Sequence, residues 1–288
     1  MHTIQSDNLC AIVNSTGAEL SSLHCKKSGR EYIWHGDATW WGKRAPVLFP
    51  ILCSLKNGSY SYKGKKYAMT KHGFVTNADF TPTLVKDSKI VLEYASNPDT
   101  LNMYPFDFLF QVIFILEGNR LSTTYRVENW NNHSMPFSVG AHEAYLCPRE
   151  SGEIFEDYYL EFDNKGTYIS ETIENGLLNG ETHTVVENSN ILPLNYSLFD
   201  KDTLIFKNIS NRRVSLKSKK SAGVIEVDYQ DAPHLGIWTK KGAPYICIEP
   251  WYGLPDETIH DGDIERKAGI INLEAGTDFS WTHTITTS

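Results

Sequence analysis

The feature that most constrains this chain is an alternation of apolar and polar side chains at every second residue, in many short runs broken by turn signals. Lys89–Ala95 sets Ile90, Leu92 and Tyr94 on one face; residues 121–128 set Leu121, Thr123, Tyr125 and Val127 against Ser122, Thr124, Arg126 and Glu128. A period of two marks a half-buried strand, because successive side chains leave opposite faces. Residues 157–162, 204–209, 213–217 and 224–229 repeat the pattern, and residues 108–116 and 121–129 read as two strands joined across Gly118-Asn119. Asn57-Gly58, Lys63-Gly64-Lys65, Asn175-Gly176, Asn179-Gly180 and Lys241-Gly242 supply further turn signals, and the first 36 residues read as opening strands with a hairpin. Many short strands punctuated in this way predict an all-β sandwich or barrel without long amphipathic helices. No fixed-length repeat or low-complexity linker divides the 288 residues, so one domain over 1–288 is expected.

Composition excludes several function classes. A formal charge of -8 with no Lys/Arg cluster argues against nucleic acid as the main partner. The longest apolar run, residues 106–116, holds Asp107 and Gln111 and falls short of the ~20 residues of a membrane helix. The N-terminus lacks a basic region followed by an apolar run, so no signal peptide is expected. Cys10, Cys25, Cys53, Cys147 and Cys247 are irregularly spaced and form no CxxC pair. That predicts a reducing, cytoplasmic setting, with neither a disulfide framework nor a zinc site.

Four stretches carry candidate chemistry. Residues 244–256 set Glu249 at the end of a strand-like run, with Tyr245, Cys247 and Glu249 on one side and Ile246 and Ile248 on the other. Pro250 has no N–H to give a ladder, so regular pairing is expected to stop there. Followed by Trp251 and Tyr252, Glu249 reads either as the floor of a pocket or as a carboxylate capping a loop. His142, behind the small Gly140 and Ala141, is either a proton-transfer group working near its ordinary pKa of ~6.5 or a hydrogen-bonded structural imidazole. His72, beside Gly73, carries the same two readings. Arg44, ahead of the proline-bounded run 45–50, is either solvated or a fork of donors at a pocket mouth.

Taken together, these pieces resemble the aldose 1-epimerase (galactose mutarotase-like) family, and its LacX-like branch in particular. The resemblance is carried by residues 44–50, Lys71-His72-Gly73-Phe74, Tyr104-Pro105-Phe106, residues 137–148, Leu198-Phe199-Asp200-Lys201-Asp202, Leu235-Gly236-Ile237-Trp238 and Ile248-Glu249-Pro250-Trp251-Tyr252-Gly253. These pieces cover nearly the whole chain in order. The resemblance implies a large antiparallel β-supersandwich with an open sugar site, and a cofactor-free, metal-free enzyme that interconverts the α and β anomers of an aldose. It implies Glu249 as general base and His142 as general acid, with Arg44 and His72 on the sugar's oxygens. An Asp gripping hydroxyls is also implied, with Asp202 preferred over Asp200. Trp238 and Trp251 would pack on the C–H face of the sugar. Two residues depart from the family pattern: Glu143 replaces the usual Pro after the His, and Cys53 stands where relatives tend to have Gly. In a strand Glu143 would point away from His142; in a bulge it would face the site. The alternatives are a hexose-6-phosphate 1-epimerase, which needs further cations, and a non-catalytic carbohydrate-binding or sensor protein. A two-carboxylate glycosidase does not suit a His/Glu partnership.

Overall fold

A computed structural model describes residues 1–288, and strands account for nearly all of its regular structure. A 14-stranded antiparallel sheet runs Val139–Gly140, Tyr245–Tyr252, His234–Trp238, Leu204–Phe206, Tyr158–Glu174, Arg213–Ser218, Ile225–Asp228, Asp278–Thr287, Arg120–Asn129, Phe108–Glu117, Lys89–Ala95, Thr81–Lys86. Glu143–Leu146 adds to Tyr245–Tyr252, and Leu177–Pro193 to Tyr158–Glu174. The opening residues form a three-stranded sheet of His2–Gln5, Leu9–Val13 and Leu20–Cys25. The α-helix, Pro98–Met103, is held by an Asn97/Thr100 capping box.

The sheet cannot lie flat. Glu143 Oε1 and His283 Nε2 are 2.9 Å apart. Glu143 lies at one end of the strand order, while Asp278–Thr287, which carries His283, stands eighth in it. With strands ~4.8 Å apart, a flat sheet would separate the two by roughly 30 Å. Curling brings them together and encloses a hydrophobic core of 64 buried residues.

The alternating runs become strands as expected, with Lys89–Ala95 among them. Three boundaries differ. Asn175-Gly176 is a tight turn, both residues having left-handed φ of 52° and 78°, but Asn179-Gly180 lies inside Leu177–Pro193. There the register slips between Glu171↔Thr182 and Ile173↔Leu178, so the second signal marks a bulge instead of a connection. Residues 204–209 pair only over Leu204–Phe206. Pairing does not stop at Pro250 either, since Tyr245–Tyr252 continues through it. The Pro250 carbonyl still accepts from Ala141 N at 3.1 Å, and the missing donor falls in the gap between Val139–Gly140 and Glu143–Leu146.

Alternation also sorts the two faces of this end of the sheet. Tyr145, Leu235, Ile237, Ile246 and Ile248 enter the 64-residue core. The opposite face carries two small apolar clusters, one around Tyr245 and Cys247 and one around Trp251. Trp251 packs over two glycines: Gly140, its partner in one ladder, and Gly236, which pairs with Glu249 in the other ladder and lies diagonal to it, its direct partner there being His234. A Cβ on Gly140 or Gly236 would sit 2.6 Å from its ring.

Candidate active site

His142 and Glu249 are cross-strand neighbours. The pairs Gly140↔Trp251 and Glu143↔Ile248 share one register, so His142 falls opposite Glu249 on the same face. Directly opposed residues bring their side chains together, and His142 Nε2 lies 3.3 Å from Glu249 Oε2. The residue paired with Glu249 on its other flank is Gly236, which leaves that side open. Both groups line a cavity of about 300 Å³, into which His72, Asp202, Trp238 and Trp251 also project.

Each wall residue has a local cause. His72 Nδ1 accepts from Cys53 N at 3.1 Å, which puts the proton of the neutral ring on Nε2 and leaves that N–H as a donor. Asp202 holds Thr203 N at 2.7 Å through Oδ1. Asp200 lies in the outer groove with Oδ1 3.9 Å from Lys241 Nζ, so of the two candidates it is Asp202 that reaches the cavity. Cys53, His72 and Asp202 adopt left-handed φ of 51°, 65° and 77°. Such backbones cost about 1–3 kcal/mol each in non-glycine residues and gather at functional sites. Cys53 thus occupies a conformation that favours glycine. Gly73 has no alternative: its φ is 78°, and a Cβ would meet the Phe49 carbonyl oxygen at 2.1 Å.

Arg44 is not brought to the cavity wall. Its Nε donates to the His35 carbonyl at 3.0 Å and the side chain lies against Gly36. The cations lining the cavity are Lys43 and Lys71. Glu143 occupies a strand position and turns to the core face, where it meets His283. Sequence reasoning also passed over Trp41, whose ring stacks on His142 at 4.9 Å and 28° and meets Trp238 edge-on at 5.6 Å. The signals were present, since Trp41 stands three residues and Lys43 one residue before Arg44, and Lys71 precedes His72.

Burial sets the electrostatics. Removal from water pushes the Glu249 carboxyl well above its usual range; Lys71 opposes the rise, and Glu143 and Asp202 add to it. Burial drives His142 well below its ordinary value, with His72 contributing. His72 itself is lowered to about 3, by burial and then by Lys71. Neither charged form of the His142/Glu249 pair is favoured alone, so at rest the pair carries one proton, on Glu249, and its passage across 3.3 Å to His142 creates the carboxylate base and the imidazolium acid together. Such a couple can take a proton from one oxygen and give one to another.

The sequence profile of the aldose 1-epimerase family matches residues 1–282. Protein LacX of Lactococcus lactis subsp. lactis, in its plasmid form, is 34% identical over 271 residues, 91% of this chain and 90% of the relative. A galactose mutarotase related enzyme from Lactobacillus acidophilus superposes with a TM-score of 0.95 at 33% identity, covering 100% of this chain and 97% of that one. A galactose mutarotase-like protein from Lactobacillus casei gives 0.94 at 31% identity, covering 100% of both chains.

Proposed function

Because the chain belongs to the aldose 1-epimerase family, we propose that it interconverts the α and β anomers of an aldose by acid/base opening and reclosure of the ring. Glu249 takes the proton of the anomeric hydroxyl while His142 protonates the ring oxygen, and the C1–O5 bond breaks to leave the free aldehyde. Rotation about C1–C2 presents the other carbonyl face, and reclosure with the proton roles exchanged gives the second anomer. The anomeric and ring oxygens are bonded to the same carbon, so donor and acceptor must converge on one point. The observation that carries the reading is that His142 Nε2 and Glu249 Oε2 stand 3.3 Å apart at a cavity of about 300 Å³. His72 Nε2–H and Asp202 hold hydroxyls, and Trp238 and the edge of Trp251 cover the C–H faces. Positioned proton transfer is worth about 10² to 10⁴ in rate. In NMR exchange measurements on free aldoses, Glu249→Gln and His142→Ala should therefore each lose activity by about that factor. Near-wild-type exchange in either variant would remove that residue from the mechanism, and tight sugar binding without exchange in the wild type would favour a binding protein.

A phosphorylated aldose is the second reading, favoured by Lys43 and Lys71 on the cavity wall. Lys43 Nζ is held by Thr76 O at 3.2 Å and Asn77 Oδ1 at 3.0 Å, a fixed cation that an anionic substituent would meet. The same exchange measurement with aldose 6-phosphates separates the two: Lys43→Ala should weaken turnover of the phosphorylated sugars and spare the neutral ones.

A further inference from the structure

The spacing of cysteines in sequence gives no hint of a metal site, yet strand register places one thiol beside the proton-transfer pair. Cys247 and Glu249 are two residues apart on one strand and face the same way, while His142 comes from the short gap between Val139–Gly140 and Glu143–Leu146, opposite Glu249. One ligand atom from each, the His142 ring nitrogen, Cys247 Sγ and a Glu249 carboxylate oxygen, lies within 4.8 Å of the other two. All three residues are buried, and His142 Nδ1 has no hydrogen-bond partner.

We propose that His142, Cys247 and Glu249 form a capture site for a soft divalent cation, Zn²⁺ foremost, which silences the proton-transfer pair by taking both of its members as ligands. Tetrahedral zinc holds nitrogen and oxygen at ~2.0–2.2 Å and sulfur at ~2.3 Å, so three such donors stand roughly 3.4–3.7 Å apart. From a present spacing of at most 4.8 Å, the side chains close by up to about 1 Å to reach that geometry. A fourth position faces the cavity and takes water. Imidazole with thiolate is a ligand set that selects zinc over magnesium or calcium.

Charge and protons balance. The thiol proton and the proton held by the His142/Glu249 pair both leave to solvent, the two resulting anions offset the dication, and the buried complex ends neutral. Capture is accordingly favoured as pH rises. The binding claim stands on the cluster alone, whereas its effect on turnover rests on the acid/base role proposed above.

Titration of the full chain with Co²⁺ reads the site directly, because thiolate ligation produces a near-ultraviolet charge-transfer band. The band should saturate at one ion per chain, vanish in both Cys247→Ser and Cys247→Ala, and persist in Cys53→Ala. Zn²⁺ should displace Co²⁺ and inhibit anomer exchange reversibly with chelator. Loss of the thiolate should weaken Zn²⁺ affinity at least about tenfold, with an unchanged thermal melt certifying the fold and exchange in the absence of metal kept close to wild type. A band that survives in both Cys247 variants, or no stoichiometric uptake by the wild type, would overturn the proposal. If the wild type shows no anomer exchange, the Co²⁺ band still decides whether the site exists.

Discussion

Glu249 shows how one residue's setting couples stability to chemistry. In the unfolded chain it ionises near ~4.3, whereas burial in the fold raises it well above that. Between those two values the unfolded state releases a proton that the folded state keeps, so this group's contribution to stability falls as pH rises and levels off above the folded pKa. Glutamine has no charge to desolvate. Thermal melts should thus show Glu249→Gln gaining on wild type as pH climbs above ~4.3, with the two converging below it. Parallel curves would mean that the carboxyl is not desolvated. Trp41, stacked on His142 at 4.9 Å, contributes to the burial that depresses the imidazole. Trp41→Ala should let that pKa climb back toward ~6.5 in an NMR titration, and an unmoved titration would show that the indole does not shield it. His142 and Glu249 were legible at this scale because small residues and prolines surround them. Arg44 misled because nothing in a sequence reveals that its guanidinium will fold back onto the His35 carbonyl. Alternation put Cys247 on the side of Glu249, but its nearness to His142 was hidden because that neighbour is set by strand register.

Among the elements, the two ladders around Tyr245–Tyr252 decide whether the site exists. Gly236 has ordinary backbone angles, so what it provides is space: a Cβ there would lie 2.6 Å from two atoms of the Trp251 ring. Overpacking of this kind typically costs about 1–3 kcal/mol. Gly236→Ala should lower the melting temperature and, by pushing the indole beside Glu249, slow anomer exchange as well. Adding Trp251→Phe should recover part of the stability by restoring room. A single variant that melts like wild type would show that the ring shifts freely, and no recovery in the double variant would place the strain elsewhere. Strand existence was largely legible from the period of two. Two local signals misread their context, Asn179-Gly180 as a turn and Pro250 as a stop. In each case pairing continues past the irregularity: as a bulge at Gly180 opposite Tyr158–Glu174, and at Pro250 through the ladder with His234–Trp238 while the other ladder has a gap.

The whole molecule depends on the sheet closing over itself, and this is what periodicity cannot reveal, because it depends on pairings between residues far apart in the chain. Residue types give all-β; the supersandwich came only from the resemblance. Glu143 and His283 report the closure physically, 140 residues apart and hydrogen-bonded at 2.9 Å with both side chains buried. The Glu143 Oε2 and His283 Nδ1 atoms have no further partner, so the two groups rely on each other. Removing one member leaves a buried polar group unsatisfied, which for a buried pair typically costs about 3–5 kcal/mol. Glu143→Ala and His283→Ala should each lower stability by about that much, while the double variant should cost clearly less than their sum. Denaturant titrations of the four proteins close the cycle. Additive losses would mean that the pair contributes nothing as a pair and that the closure is held by apolar packing alone. A positive coupling would make Glu143 a tie between the segment presenting His142 and the strand Asp278–Thr287 across the core.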